Sequence, residues 1–468
     1  MSLVEEKIRS VGLVDNLLRA WRRGDDRRRL KANLPDGDLD HIRKQVDACL
    51  DLKGGEVTAR ARAVELGSSF LELNEQGRAR FLRLLAEEYG PDEVRLDQAL
   101  ADMHKAEDNQ AKQMAGRTLK HALESRRVIL LRQFNALPQG VKFLVDMRAE
   151  LLSLSRQDDV FKPLESDLKE LLASWFDIGF LELRQITWQS PASLLEKLIA
   201  YEAVHMIESW DDLKDRLDQD RRCFAFFHPS MPDEPLIFVE VALVEGIAGN
   251  VHELLDEDAP AMATDVADTA IFYSISNAQA GLAGVSFGNF LIKRVVNELA
   301  KELPNIKTFS TLSPVPGFMK WVRRDLAASD DARMIIFKND EAIGLNRLTG
   351  LKNANASLTE LLSRDDWHKD RNTAEVLEPL LYRLCALYLA RAKRGQRAFD
   401  PVAHFHLTNG ARLHHINLRG NLSDEGMRQS AGIMVNYLYK LSEIDRNHEN
   451  YALNHEVRMS SAISKALR

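Results

Sequence analysis

The sequence predicts an α+β protein: an all-helical N-terminal domain, residues 1–172, followed by a mixed-sheet domain with helical insertions, residues 173–468. Helical periodicity with little β-branched alternation runs through roughly the first 170 residues. After Trp175, apolar β-type runs such as Cys223–Phe227 and Leu236–Leu243 alternate with helical patterns. The long apolar segment Val376–Ala392 then predicts a helix inserted within the second domain.

The composition is that of a globular protein, with 468 residues, 45% hydrophobic and 28% charged. A net charge of −7 argues against a nucleic-acid partner. Cys49, Cys223 and Cys385 are widely spaced and form no CxxC pair, which fits a reducing compartment without disulfides or a zinc site. No apolar run is long enough to cross a membrane, and the N-terminus resembles no targeting signal. We therefore expect a cytoplasmic protein.

Local helix signals predict several helices in the first domain. Asn74 is a good N-cap for a helix that ends at Gly90-Pro91, and Asp92 begins one long periodic run to about Leu123. Three more helices are predicted, over Arg126–Ala136, over Val141–Leu154 and over Ser166–Trp175.

Turn and strand signals organise the second domain. The segment HPSMPDEP joins two apolar runs, and its three prolines predict a turn. Further on, the pattern predicts a strand Ala270–Ile275, a helix over about Val285–Leu303, and two strands Thr308–Leu312 and Ile433–Tyr439.

The loop Gln279–Val285 joins a predicted strand to a predicted helix. Its two glycines let backbone approach a ligand closely, and amides at a helix N-terminus favour phosphate. The same loop also suits a tight connection that binds nothing.

The segment Phe309–Gly317 ends a strand in hydroxyl side chains. On a strand Ser310 and Leu312 share one face, while Thr311 and Ser313 share the other. Such a serine can donate to a carboxylate, or its hydroxyl can simply bond to backbone. The chain has no G-x-S-x-G elbow, which argues against an acyl-serine hydrolase.

The segment Asp400–Asn417 contains four histidines and has two local interpretations. Asn409-Gly410 suits a hairpin turn, but Asp400 as N-cap and Pro401 at the first position favour a helix Pro401–Thr408 followed by a strand over 411–417. The spacing of His404 and His406, without an acidic partner, gives little support for a metal site. His406 is one candidate for a proton donor near neutral pH.

Together, several ordered segments resemble the malonyl-CoA decarboxylase family. They are FYSIS (272–276), QAGLAGV (279–285), FLIKRVV (290–296), LSPVPGFMKW (312–321), PLLYRLCALYL (379–389), FHLTNGA (405–411) and MVNY (434–437). The resemblance covers most of Trp175 to Leu453 and implies the GNAT acyltransferase fold for the second domain. Ala283 and Ser286 stand where acetyltransferases carry Arg/Gln and the first Gly of their motif, and His406 lies about one residue from the place of their tyrosine acid. These departures favour altered chemistry on a CoA scaffold.

The resemblance implies decarboxylation of malonyl-CoA to acetyl-CoA and CO₂ without metal, biotin or pyridoxal. It implies Ser310 as the donor that orients the malonyl carboxylate and His406 as the general acid, with Thr311 as the main competitor for the serine role. Asn436 and Tyr437 either line the same pocket or pack as ordinary strand residues. The acyl-CoA-binding segment it implies is Gln279, Ala280, Gly281, Leu282, Ala283, Gly284, Val285 and Ser286.

For the helical domain the resemblance implies self-association, as a homotetramer. Two other functions remain open from the sequence. One is an acyltransferase that modifies an amine and releases CoA. The other is a helical scaffold whose second domain has lost activity.

Overall fold

The computed structural model describes residues 30–51, 55–135, 137, 139–176, 178–285, 291–328, 334–364 and 366–468. Contacts divide the chain into two compact units. The first comprises the described residues of 1–182, 226–237 and 277–287, and the second comprises those of 183–225, 238–276 and 288–468. The loop predicted to bind a phosphate therefore groups with the N-terminal helices.

The first unit is predominantly helical. Its α-helices are α1 (Asp36–Leu50), α2 (Gly55–Glu72), α3 (Glu75–Glu88), α4 (Glu93–Lys105), α5 (Asn109–Ala122), α6 (Arg126–Asn135), α7 (Gly140–Ser155) and α8 (Lys162–Trp175). Asn74 caps α3 as predicted, because its side chain accepts a hydrogen bond from the amide of Gly77 at 2.9 Å. Three phenylalanines, Phe70, Phe134 and Phe143, meet edge to face in the core of these helices.

The prediction of one long periodic run from Asp92 to Leu123 is wrong. The segment forms two helices, α4 and α5, which pack against each other as a hairpin. The break falls at 106–108, where Ala106 is extended and Asp108 accepts a hydrogen bond from the amide of Ala111 at 2.7 Å. A good N-cap in the middle of a periodic run starts a new helix, and helical periodicity alone does not reveal it.

A mixed sheet forms the framework of the rest of the chain, with strand order β1-β2-β3-β4-β5-β10-β6 and with β9 paired to β10. The sheet strands are β1 (Glu182–Ile186), β2 (Arg221–His228), β3 (Met231–Val244), β4 (Thr269–Asn277), β5 (Thr308–Thr311), β6 (Ser313–Pro314), β9 (Arg412–Asn417) and β10 (Met434–Tyr439); β7 (Lys393–Arg394) and β8 (Arg397–Ala398) pair separately. Strands β4 and β5 are parallel, and β10 runs antiparallel to β5, β6 and β9. Strands β2, β3, β4, β5, β9 and β10 follow predicted runs, whereas the short strands β1, β6, β7 and β8 were not predicted. The turn between β2 and β3 occupies only Pro229-Ser230, so Pro232 and Pro235 lie within β3.

The remaining helices belong to the second unit and include the predicted insertion. They are α9 (Ala192–Tyr201), α10 (Trp210–Asp215), α11 (Val251–Leu254), α12 (Leu291–Glu302), α13 (Phe318–Ala327), α14 (Asn339–Thr349), α15 (Ala354–Leu362), α16 (Arg371–Arg391), α17 (Pro401–Thr408), α18 (Asp424–Ser430), α19 (Ile444–Asn454) and α20 (Ser461–Ala466). Helix α16 is the long apolar helix expected from the sequence, with Tyr388 buried against Trp321 of α13. In the described part of the chain no helix is both long and apolar enough to cross a membrane.

Candidate active site

His406 is held in place by the start of its own helix. Asp400 caps α17 by accepting the amide of Ala403 at 2.9 Å, and Pro401 occupies the first turn. Gly410, at φ 82°, ends the segment in a left-handed conformation that a side chain disfavours. The prediction of a helix followed by a strand is therefore confirmed, and the alternative of a hairpin is wrong. His406 lies in the last turn of α17 and is only 2% exposed.

Both ring nitrogens of His406 have hydroxyl partners. Nε2 lies 3.1 Å from the Ser313 hydroxyl, and Nδ1 lies 2.8 Å from the hydroxyl of Tyr439. The imidazole also stacks on Tyr437, with 4.6 Å between ring centroids. These contacts fix the ring in both position and tilt.

The hydroxyl chain continues beyond Ser313, which donates to Thr311 Oγ1 at 2.8 Å. Since the Ser313 proton is used there, its oxygen accepts from Nε2–H of His406, and Nδ1 accepts the Tyr439 proton. Thr311 Oγ1 in turn accepts the backbone amide of Tyr437 at 3.1 Å. We call Tyr439, His406, Ser313 and Thr311 the His406 relay. Each hydrogen bond of the relay is donated in the same direction, from the Tyr439 phenol toward the Thr311 hydroxyl.

Burial sets the charge of this relay. It lowers the pKa of His406 to about 3, because no charged partner compensates for the desolvation of an imidazolium. Burial also raises the pKa of Tyr439 well above its usual value. At neutral pH the imidazole of His406 is therefore neutral, and the phenol of Tyr439 keeps its proton.

Ser310 is buried, but it lies apart from the relay. Its hydroxyl donates over 3.3 Å to the carbonyl of Tyr437 and over 3.4 Å to that of Thr311. Ser310 pairs with Leu438 of β10, so alternation places it on the sheet face opposite Tyr437 and Tyr439. The described residues form no hydrogen bond between Ser310 and His406.

Asn436 and Tyr437 of β10 lie next to β5 and the His406 relay. The Asn436 amide donates to the carbonyls of Thr311 at 2.7 Å and Ala248 at 2.9 Å, and its oxygen accepts from Asn417 at 2.7 Å. Asn436 thus fixes the backbone of β5, while Tyr437 supports the imidazole. Tyr439, which bonds to the imidazole, was not among the residues predicted for the site, although it alternates with Tyr437 on a predicted strand.

The other histidines of the 400–417 segment do not converge on His406. His404 Nδ1 bonds to the hydroxyl of Tyr451 at 2.9 Å, and His414 and His415 lie on β9. Among the residues that the structure describes, no group of three histidine, cysteine or acidic side chains is arranged to hold a metal ion.

The predicted acyl-CoA loop belongs to the first unit. It leaves β4 at Asn277 and forms a single 3₁₀ turn, Ala280–Leu282. The side-chain amide of Gln279 donates to the carbonyl of Pro235 at 2.9 Å, which anchors the start of the loop. Ser286 lies outside the described residues.

The two loop glycines have different reasons to be glycine. A Cβ on Gly281 would stand 1.7 Å from the carbonyl oxygen of Val145 in α7, so packing against that helix excludes a side chain. Gly284 has φ 73°, a left-handed conformation. The amides of Leu282, Ala283 and Val285 already donate within the loop. A bound phosphate would therefore be held by other loop amides, such as that of Gly284.

Comparison with known proteins identifies the family of the chain. Residues 179–468 match the family described as Malonyl-CoA decarboxylase C-terminal domain, and residues 89–176 match the one described as Malonyl-CoA decarboxylase N-terminal domain. "Malonyl-CoA decarboxylase, mitochondrial" of Anser anser anser is 37% identical over 424 residues, covering 88% of this chain and 82% of the goose protein. The protein of the same name from Rattus norvegicus is 39% identical over 353 residues, covering 74% of this chain and 72% of the rat protein.

Two solved structures extend the similarity to the fold. The crystal structure of malonyl-CoA decarboxylase from Rhodopseudomonas palustris has a TM-score of 0.83 and 41% identity, covering 91% of this chain and 99% of that chain. The one from Agrobacterium vitis has a TM-score of 0.81 and 40% identity, covering 92% and 100%. With two domain families matched in order and relatives aligned over most of its length, the chain belongs to the malonyl-CoA decarboxylase family of enzymes.

Proposed function

We propose that this chain decarboxylates malonyl-CoA through a thioester enolate, without a metal or an organic cofactor. The observation that carries the proposal is the buried, uncharged His406 relay, in which the imidazole N–H can be given up while the phenol replaces its proton. The bond between Cα and the carboxylate breaks, CO₂ leaves, and the electron pair moves onto the thioester oxygen. The thioester carbonyl is itself the electron sink, so the chemistry requires no other.

His406 then supplies the proton that converts the enolate into acetyl-CoA. A neutral imidazole N–H is a stronger acid than the α C–H bond of an acetyl thioester, so the transfer is downhill without an imidazolium. As Nε2–H is given up, through Ser313 or directly, Nδ1 takes the proton of Tyr439. One proton from solvent restores the phenol, which balances the single proton that the reaction consumes.

Ser310 remains, by family resemblance, the proposed donor to the malonyl carboxylate. Its two hydrogen bonds to backbone carbonyls are long, so a better acceptor can compete for the hydroxyl. In the structure this hydroxyl lies on the opposite sheet face from His406, so its proposed role rests on the family resemblance and not on proximity to the imidazole.

We further propose that the loop Gln279–Ser286 binds the phosphates of acyl-CoA in a GNAT-like catalytic domain, residues 173–468. The support is a left-handed Gly284 and a nearby cation: a Cβ on Gly284 would lie 3.5 Å from Nζ of Lys169. Backbone amides and a lysine together form a common phosphate site.

The helical domain, residues 1–172, is proposed to assemble the chain into a homotetramer. The support is the α4–α5 hairpin, where α5 buries none of its residues and Val94 and Met114 are 80% and 65% exposed. Exposed apolar side chains on helices that bury so little can become buried against another copy of the chain. Light scattering on Val94→Glu with Met114→Lys tests this, and Ile343→Lys, which alters an exposed residue of the second unit, is the control. A monomeric wild type would refute assembly.

The reaction is tested by incubating the pure protein with malonyl-CoA alone in D₂O. The expected products are CO₂ and acetyl-CoA with one deuterium in its methyl group, and dialysis against EDTA leaves the rate unchanged. Release of CoA without CO₂ would instead indicate an acyltransferase.

We also propose a cytoplasmic location on the basis of the three buried, unpaired cysteines, although the named animal relatives are called mitochondrial. Fractionation of the source cells tests it.

A further inference from the structure

A buried arginine of α7 connects the helices of the first unit to the predicted acyl-CoA loop. The side chain of Arg148 is 1% exposed. Nη1 donates to the carbonyl of Gly281 at 2.6 Å, and Nη2 donates to the carbonyl of Ala283 at 2.9 Å. Two carbonyls of one short loop are thus held by a single planar guanidinium.

The charge of Arg148 is balanced on its other edge. Glu165 of α8 accepts from Nη2 at 2.6 Å and from Nε at 3.1 Å. A buried guanidinium needs such a partner, since an unpaired buried charge is strongly destabilising. The pair also orients the guanidinium group so that its remaining N–H groups point at the loop.

The two carbonyl contacts decide which way the loop amides point. A trans peptide is planar, so its C=O and the following N–H point in opposite directions. Because Arg148 binds the carbonyl of Ala283, the amide of Gly284 is directed away from α7. Close packing of Gly281 on Val145 prevents the loop from turning as a whole.

We propose that Arg148 is a positioning residue for substrate binding: it aims the amide of Gly284 at the phosphates of acyl-CoA while touching neither substrate nor reacting atoms. This inference rests on the proposed function of the loop. Arg148 therefore affects affinity for malonyl-CoA, whereas proton delivery in the second unit is left to the His406 relay.

The helical region offers a matched control in Arg127 of α6. Arg127 is also buried, pairs with one carboxylate, Asp167, at 2.7 Å, and donates to two backbone carbonyls, those of Ala86 at 2.9 Å and Leu85 at 3.4 Å. All of these partners lie within the helices. Arg148→Lys and Arg127→Lys thus make the same chemical change, and only the first removes contacts to the loop.

The experiment compares steady-state kinetics and amide hydrogen exchange of the wild type with these two variants. Losing a charge-assisted hydrogen bond to the loop predicts about a tenfold or greater rise in KM for malonyl-CoA in Arg148→Lys, with kcat within about twofold. Exchange of the amides over residues 278–285 rises by about the same factor. Arg127→Lys lowers the melting temperature but leaves both KM and loop exchange unchanged.

Three results would count against the proposal. Arg148→Lys with wild-type KM and loop exchange overturns it, as does a rise in KM that Arg127→Lys shares. If Arg148→Lys does not fold, Glu165→Gln keeps the arginine and disturbs only its orientation, and an unchanged KM in that variant overturns the proposal. If instead the proposed function of the loop is wrong, CoA will not protect the wild-type loop from exchange. In the absence of CoA, Arg148→Lys will still differ from the wild type in loop exchange.

Discussion

The imidazole Nε2 of His406 lies 3.1 Å from the hydroxyl of Ser313, across 93 positions of sequence. Ser310, only three positions from Ser313, lies on the other face of the sheet and makes no bond to the ring within the described structure. The proposed proton donor and the serine that the family resemblance selects are therefore separate groups. The predictions below follow from this separation and from the burial of the ring.

Removing the imidazole is expected to lower kcat much more than it changes KM. His406→Ala should reduce kcat for CO₂ release by about 10²–10⁴, the usual contribution of a positioned proton donor. His414→Gln, which alters a half-buried histidine on the neighbouring strand, should leave kcat unchanged. A wild-type kcat in His406→Ala would exclude the relay as the proton source.

Coupling between residues should reveal which serine works with the ring. Ser313→Ala should have little further effect in a His406→Ala background, because both changes interrupt one relay. Ser310→Ala should retain its full effect in that background, since its hydroxyl acts from the other face. The double-mutant cycles in kcat decide the matter, and strong coupling of Ser310 to His406 would show that the two act together.

The pH dependence of kcat should lack an inflection from an imidazolium acid. Since burial lowers the pKa of His406 to about 3, the ring is neutral between pH 5 and 8. An imidazolium donor would instead lose activity as pH rises through its pKa. Measured under saturating malonyl-CoA, kcat should show no fall centred near the ordinary histidine value of about 6.5. A fall there, absent in His406→Gln, would contradict a neutral donor.

Stability should decline on acidification for the same reason. The unfolded His406 binds a proton below about pH 6.5, whereas the folded one resists it down to about 3. The unfolded state thus gains protons first, so the stabilising effect is complete above pH 6.5 and is lost as pH falls toward 3. Between pH 7 and 5 this amounts to about 2 kcal/mol.

His406→Gln should remove this part of the pH dependence, as measured by urea unfolding at the two pH values. His205, whose pKa burial lowers to about 4, contributes in the same direction and is unchanged in both proteins. An equal acid loss in wild type and variant would show that the buried ring is not responsible.

Gly281→Ala should distort the predicted acyl-CoA loop. Its Cβ would stand 1.7 Å from the carbonyl oxygen of Val145, and a backbone atom cannot move aside cheaply. We expect a loss of about 1–3 kcal/mol in unfolding free energy, together with a raised KM. Gly116→Ala is the control, since nothing lies within 4 Å of a Cβ there and alanine favours a helix by up to about 1 kcal/mol. A neutral Gly281→Ala would mean that the loop does not depend on this packing.

Local signals in the sequence were enough to predict the elements that carry the candidate site. Asn74 and Asp400 cap the helices they were expected to begin, and the apolar runs 270–275 and 433–439 form strands. These features depend on neighbouring residues, which a single sequence displays directly. The same reasoning treated 92–123 as one run, because a periodic pattern continues through the cap at Asp108.

The sequence by itself determined the family, the division into a helical region followed by a mixed-sheet region, and His406 as a proton-donor candidate at the end of a short capped helix. Only the tertiary structure decided that its partners are Ser313 and Tyr439, that burial keeps it neutral, and that Arg148 holds the loop. Alternation along one strand gives the face of each side chain, but strand pairing decides what meets it. Desolvation and long-range hydrogen bonds depend on atoms distant in sequence, so no local pattern encodes them.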